Sequence, residues 1–356
     1  LVGAVNAAAG AFLPTQLLQR NLDRVRAGRV LVVGGPHDAA IPSLFDGQCG
    51  VLHSFDYGAH LVHERVCAAR GSGLQPRFGA VFDRLEPRPD VIVVYLQKGR
   101  EANDVILAMA QAAVSPGGTV VLVGENSGGI RSVAAVLEDR VGPISFSDAA
   151  RHCVLYEARA RDTGPAVALE SWEKSFSVAT SRGSLDVRSL PGVFSHGRLD
   201  DGTAFLLNHM PTGVHGDVLD FGCGSGVIGA AVKTAHPECQ VSLVDSNAFA
   251  LSAAQRTFDA NGLAAAFIRP SNGFVGVDEC FDVIVSNPPF HQGIATNFDV
   301  VTGFLGACAK HLRPGGFSLV VANHFLPYER LMAQSMDVSL VAQDTKYKLL
   351  KGKRRK

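Results

Sequence analysis

Phe281-Asp-Val-Ile-Val-Ser-Asn-Pro-Pro-Phe290 is an apolar run that stops at an asparagine and two prolines. β-Branched residues such as Val283, Ile284 and Val285 suit a strand buried on both faces, and proline cannot continue a central strand because it lacks an N–H donor. The chain is therefore predicted to leave a parallel sheet at Asn287, at the strand's carboxyl end. In open α/β sheets the ligand crevice lies outside those ends. Asn287, Pro288, Pro289 and Phe290 are thus expected to face a bound molecule and to form the catalytic group. The Asn287 amide oxygen and the Pro288 carbonyl are two acceptors, enough for the two hydrogens of an exocyclic amine on adenine, guanine or cytosine. Phe290 offers a flat face for the base. An ordinary tight turn would use the same tetrapeptide, so a partner motif upstream has to decide.

That partner is Asp217-Val-Leu-Asp220-Phe-Gly222-Cys223-Gly224-Ser-Gly226-Val-Ile-Gly229. The strand is read as ending at Asp220, and the glycines let the backbone turn tightly beneath a ligand at the N-terminus of the next helix. A second apolar strand ends at Asp245 and Ser246, where a carboxylate can accept hydrogen bonds from both ribose hydroxyls of an adenosine. Gly224-Ser-Gly226-Val-Ile-Gly229 also satisfies the dinucleotide pattern, so the glycines alone do not decide. Asp220 ahead of them, with Asn287-Pro-Pro-Phe290 two strands later, resembles the cofactor and fourth motifs of amino-methyltransferases. That resemblance implies S-adenosyl-L-methionine instead of hydride transfer. It implies a cofactor site of Asp220, Gly222, Cys223, Gly224, Gly226, Asp245, Ser246 and Asn287, with Ser271 and Asn272 after the third strand at the adenine.

Composition bounds the rest. A length of 356 residues predicts two domains, and 47% hydrophobic with 19% charged residues fits a well-buried globular protein. Leu1 to Leu13 is apolar but broken by Gly3, Asn6 and Gly10 and lacks a basic leading region, so it reads as a helix and not as a signal peptide or a membrane span. The missing initiator Met marks a processed or truncated start. The seven cysteines are odd in number, scattered and never Cys-x-x-Cys, which argues against a disulfide framework and a zinc site and fits a reducing cytoplasm. His311 and His324 have no partners at ligand spacing, so no metal is expected. Net charge is zero, yet Lys346 to Lys356 holds seven Lys or Arg and no acid. With 33 basic and 33 acidic residues in all, the remaining body carries 26 against 33, or minus seven. The run is read as a basic C-terminal tail, able to grip a phosphate backbone or simply solvated.

The chain also repeats itself. Asp90-Val-Ile-Val93 is echoed by Asp282-Val-Ile-Val285, and Ser115-Pro-Gly-Gly-Thr-Val-Val-Leu-Val-Gly-Glu-Asn126 by Arg313-Pro-Gly-Gly-Phe-Ser-Leu-Val-Val-Ala-Asn323. Two landmarks in the same order at comparable spacing indicate a duplicated α/β unit. The first copy reads Tyr95-Leu-Gln97-Lys98 in place of Asn-Pro-Pro-Phe, and its first turn is Gly34-Gly-Pro-His37 with no leading Asp. The fold class is accordingly α/β, two tandem Rossmann-like class I methyltransferase domains arising by duplication, the N-terminal one degenerate. Residues 1–160 are assigned to that degenerate domain, for substrate recognition or folding support. Residues 161–170, with Gly164 and Pro165, are the linker, and 171–356 the catalytic domain with the basic tail.

Leu190-Pro-Gly-Val-Phe-Ser195, Asn287-Pro-Pro-Phe-His291, Val321-Ala-Asn-His-Phe-Leu-Pro-Tyr328, Val123-Gly-Glu-Asn126 and Asp148-Ala-Ala-Arg-His-Cys153 together resemble the bacterial small-subunit (16S) ribosomal RNA guanine-N2 methyltransferases, the RsmC family. The resemblance covers both halves. It implies two tandem domains of which only the second binds the cofactor, and methylation of a guanine N2 in 16S rRNA within the small ribosomal subunit. It also implies a cytoplasmic protein acting as a monomer, with no membrane and no metal. The expected chemistry is in-line transfer, with Phe290 stacked on an accessible guanine and no general base required. His291 is read as a hydrogen-bonding or stacking residue, or else a base, and Asp220 as ordering the glycine loop, contacting the methionine end or capping the next helix. The alternatives are a large-subunit rRNA guanine-N2 methyltransferase, a DNA adenine or protein glutamine methyltransferase, and a non-catalytic RNA-binding or assembly factor that keeps the fold.

Overall fold

A computed structural model describes residues 11–26, 28–82, 85–180, 182–288 and 295–355. The chain divides into two compact units between Leu169 and Glu170. The helix expected over the first residues falls largely outside the described range. The first unit contains α1 (Leu13–Arg20), β1 (Val30–Val33), α2 (Ile41–Leu44), β2 (Gly50–Ser54), α3 (Tyr57–Arg70), β3 (Leu74–Phe78) and β4 (Val91–Tyr95). It continues with α4 (Arg100–Ala113), β5 (Thr119–Glu125), α5 (Ile130–Arg140), β6 (Ile144–Ala150) and β7 (Cys153–Arg159). Its sheet runs β3-β2-β1-β4-β5-β7-β6, parallel except for β7, which lies antiparallel to both β5 and β6. β1 and β4 are buried along their whole length, as Val-rich strands with helices on both faces must be.

The second unit opens with a hairpin, β8 (Lys174–Thr180) and β9 (Gly183–Ser189), then α6 (Asp201–Asn208), β10 (Asp217–Phe221), α7 (Val227–Ala235), β11 (Gln240–Asp245) and α8 (Ala248–Ala260). β12 (Phe267–Pro270), β13 (Phe281–Ser286), α9 (Ala295–Cys308), β14 (Leu312–Asn323), α10 (Tyr328–Met332), β15 (Met336–Gln343) and β16 (Tyr347–Arg354) complete it. The order β12-β11-β10-β13-β14-β16-β15 repeats that of the first sheet strand for strand. Side chains of α8 pair with the free edge of β9: Thr257 accepts from the Arg188 N–H at 3.0 Å, and Asn261 accepts from the Asp186 N–H at 2.9 Å while donating to its carbonyl at 2.8 Å. An edge strand is thereby closed to other chains.

The two copies share the devices that set strand register. Asp90 accepts the Arg29 N–H at 2.9 Å, and Asp282 accepts the Asp217 N–H at 2.8 Å. The residues before them, Gly28 and Gly216, have φ of 72° and 69°, and a Cβ on either would lie 2.1 Å from the carboxylate. Only glycine fits there on both counts. Gly118 and Gly316, from the echoed Pro-Gly-Gly turns, each sit where a Cβ would press on the carbonyl of Asp90 or Asp282 at 2.9 Å.

The C-terminal segment corrects one reading. Residues read as a basic tail, gripping a phosphate backbone or simply solvated, form β16, which lies between β14 and β15 and hydrogen-bonds to both. Lys348 is buried and pairs with Glu329 at 2.6 Å. Lys351 sits 3.9 Å over the Phe317 ring, Arg354 donates to the Leu312 carbonyl, and Arg355 pairs with Asp337 at 3.0 Å. Part of the run's charge is thus matched inside the unit, at Lys348 and Arg355, and the long apolar stems suit a place on the sheet. Among the described residues no helix is long and apolar enough to cross a membrane, and no group of His, Cys, Asp or Glu is arranged to hold a metal ion. Deleting residues 347–356 is expected to abolish cooperative folding of the second unit, read as loss of its calorimetric transition; a soluble deletion variant with unchanged melting would sink this assignment.

Candidate active site

Three parallel strands end side by side in the second unit, β11 at Asp245, β10 at Phe221 and β13 at Ser286. Asn287 is the first residue past β13, followed by buried Pro288. The Asn287 Nδ2 donates to Asp200 Oδ2 at 2.9 Å and to Thr203 Oγ1 at 2.8 Å, and its Oδ1 is buried with no partner among the described residues. Asp200 is the N-cap of α6, its Oδ2 also accepting the Thr203 N–H at 3.0 Å. Neither Asp200 nor Thr203 was singled out from sequence. Asp-Asp-Gly-Thr reads locally as a helix start, and nothing local reveals a partner 84 to 87 residues away. Pro289, Phe290 and His291 lie outside the described residues.

The glycine turn beyond β10 has two kinds of glycine. Gly222 and Gly224, at φ of 70° and 53°, would carry a Cβ into open space, with nothing within 4 Å. Gly226, at φ 75°, faces α8 instead: a Cβ there would lie 3.1 Å from the backbone and side chain of Ala254. It packs helices, and the cradle is Gly222 to Gly224. Asp245 holds the turn, Oδ2 accepting the Gly224 N–H and Oδ1 the Asn247 N–H, both at 2.9 Å. The Cys223 side chain is buried, which raises its thiol pKa well above the usual range and leaves it inert. Ser271 is also buried, its hydroxyl tied to the carbonyls of Gly273 at 2.6 Å and Val275 at 3.0 Å, so it shapes its own loop. Ser246 and Asn272 are half-buried just past the ends of β11 and β12.

Asp220 lies beneath this turn, fully buried. Its Oδ2 accepts the Gly229 N–H at 2.7 Å, in the first turn of α7, and its Oδ1 has no partner among the described residues. Burial pushes its pKa up to about 7, with the Gly229 hydrogen bond opposing and the Asp245 charge adding.

The first unit shows the same places filled. Counting from the shared Asp, Tyr95 stands where Asn287 does, and by strand register Val32 stands for Asp220 and Ser54 for Asp245. Tyr95 is buried, its pKa driven well up by burial, and its hydroxyl meets Thr15 Oγ1 at 3.2 Å. Gln97 donates to the carbonyls of Gly34 and Tyr95, both at 2.8 Å, and a Cβ on Gly34 would lie 2.5 Å from the Gln97 amide. A Cβ on Gly35 would lie 2.8 Å from Ile41. No cradle remains there.

Comparison with known proteins agrees with this division. Residues 15–176 match the family model "Methyltransferase small domain N-terminal", and residues 184–351 match "Methyltransferase small domain". The chain is 35% identical over 94% of its length, and 97% of the relative's, to the ribosomal RNA small subunit methyltransferase C of Shewanella loihica, and equally so to that of Shewanella baltica strain OS195. Among solved structures, the T. thermophilus 16S rRNA N2 G1207 methyltransferase in complex with AdoMet and guanosine matches with a TM-score of 0.77 and 25% identity, covering 94% of this chain and 91% of that one.

Asp220 sets a pH dependence. A carboxyl at about 7 in the folded protein and about 3.9 unfolded takes up a proton on folding between those values, so stability falls as pH rises from about 4 toward 7 and levels off above. In the ligand-free protein this loss is expected to be on the order of 2–4 kcal/mol. In Asp220→Asn that component of the slope disappears; a denaturation profile from pH 5 to 8 identical in the two proteins would contradict the assignment.

Proposed function

The chain belongs to the ribosomal RNA small subunit methyltransferase C family, and from that premise we propose that it methylates the exocyclic N2 of a guanine in 16S ribosomal RNA, with S-adenosyl-L-methionine as donor. The observation that carries this reading is the Asn287 amide: its N–H groups are engaged, and its oxygen is a buried acceptor with no partner among the described residues. A buried unpaired acceptor is costly, and an amine hydrogen is what would satisfy it.

The residues around the glycine turn fit the cofactor. Gly222 and Gly224 offer backbone with no side chain in the way, Asp245 places a carboxylate at the end of β11 where ribose hydroxyls would lie, and Asp220 Oδ1, without a partner among the described residues, suits the cationic methionine end. When bound, S-adenosyl-L-methionine supplies an electrophilic methyl group on a sulfonium. The protein's part is to hold the nucleophile. Asn287 Oδ1 and the Pro288 carbonyl accept the two N2 hydrogens, which aims the nitrogen lone pair and stabilises the positive charge that develops on nitrogen. The proton released afterwards passes to water, so no general base is needed. Phe290 is assigned to stacking on the guanine, which must be unpaired or extruded to reach the site. On this reading the enzyme works in the cytoplasm as a monomer on the small ribosomal subunit.

The test is transfer of labelled methyl to small subunits, large subunits and naked rRNA from cells lacking the protein. Label is expected on guanine N2 of the small subunit. Asn287→Ala should lower kcat by about 10²- to 10³-fold, with cofactor affinity changed much less. Label on large-subunit RNA alone would reassign the target, and no label with RNA affinity retained would favour an assembly factor.

A further inference from the structure

An asparagine amide has two ends of nearly equal shape and opposite chemistry, an acceptor oxygen and a donor NH2. Which end faces substrate therefore has to be fixed by its neighbours. Asp200 Oδ2 can only accept, so the Asn287 atom 2.9 Å from it is the nitrogen, and the second N–H goes to Thr203 Oγ1 at 2.8 Å. Both N–H groups are then directed at α6, and Oδ1 is turned away from it.

We propose that Asp200 and Thr203 are positioning residues that lock the Asn287 amide with its oxygen toward the base, so that the site selects a purine edge bearing an amine. The proposal deepens the reading above and rests on it. Two further observations support it. Gly202 lets the first turn of α6 come close: a Cβ there would lie 3.1 Å from Asp200 Oδ2 and 3.5 Å from Asn287 Nδ2. The first unit provides an internal control. Thr15 lies three residues past the N-cap of α1, as Thr203 does past that of α6, and still contacts the residue in the Asn287 place, Tyr95. The N-cap there is Phe12, with no capping side chain. Where the amide is gone the N-cap side chain itself is no longer a carboxylate; the start of α1 takes its carboxylate from Asp38, which accepts the Phe12 N–H at 2.9 Å.

Asp200→Asn separates the two roles, because asparagine caps helices as well as aspartate but also carries donors, and so lets Asn287 turn over. With S-adenosylhomocysteine present, the wild-type protein is expected to bind guanosine at least ~10-fold more tightly than inosine, which lacks the amine, a ratio of the size one lost hydrogen bond to a buried group produces. In Asp200→Asn that ratio should fall toward one, and kcat on small subunits should drop about 10- to 100-fold. Thermal midpoint and cofactor affinity should stay close to wild type. Thr203→Val should show the same pattern more weakly, Thr203→Ser should restore it, and the pair serves if Asp200→Asn does not fold. Wild-type kcat and an unchanged guanosine to inosine ratio in both Asp200→Asn and Thr203→Val would overturn the lock while leaving the methyltransferase reading intact. Equal binding of guanosine and inosine by the wild-type protein would instead overturn amine recognition, and the lock with it.

Discussion

The Asp282 carboxylate, accepting the Asp217 N–H at the start of β10, is the interaction on which the catalytic half depends. It ties the two central strands together at their amino ends, and Arg313 grips both Asp217 and Asp282 from the neighbouring turn. A parallel strand has no register of its own, and a slip of one residue would send every side chain to the other face. With the start fixed, Val218 stands opposite Val283, Asp220 opposite Val285, and Asn287 emerges beside the glycine turn. The site at one end of the sheet is placed by a hydrogen bond at the other.

The duplicated half keeps that constraint and discards what it serves. Asp90 and Gly28 hold β4 against β1 as Asp282 and Gly216 hold β13 against β10. At the carboxyl ends of the strands, however, Val32, Ser54 and Tyr95 stand where the second half has Asp220, Asp245 and Asn287, and Gln97 and Ile41 pack on the turn. Each change is one a core tolerates well, a carboxylate for a valine or an open space for a packed amide. At those places buried polar side chains meet each other, Tyr95 with Thr15 and Ser54 with His63 at 3.2 Å. In the second half the same places hold two buried acceptors, Asp220 Oδ1 and Asn287 Oδ1, that have no partner among the described residues, and a ligand's donors would satisfy them.

Much of this was legible in the chain because the decisive residues are local words: Val-Ile-Val before Asn-Pro, glycines after Asp220, Asp90 and Asp282 each ahead of a matching strand. The repeat was visible because the register devices, unlike the sites, were kept in both copies. Three things were not visible. Gly226 satisfies a cofactor pattern but faces Ala254, since a glycine needed for helix contact and one needed for ligand approach have the same letter. The run from Lys346 onward looked like a solvated tail, because a strand whose lysines reach Glu329 and Phe317 cannot be told from one whose lysines reach water. Asp200 and Thr203 looked like an ordinary cap, and their second task exists only once α6 is laid against the end of β13.

The place of β16 has a consequence for how the molecule comes into being. Strands are made in the order in which they leave the ribosome, and N-terminal domains commonly fold while the rest is still being synthesised. The first unit has all seven strands of its sheet once Arg159 has emerged. The second cannot: β15 pairs with β16 alone, and β14 lacks its outer neighbour until residues through Arg354 are available. Until then the nascent chain carries one finished Rossmann-like body and one open-edged sheet. The glycine turn and Asn287 are already translated at that stage but not yet enclosed, while the first unit is a folded neighbour on the same chain.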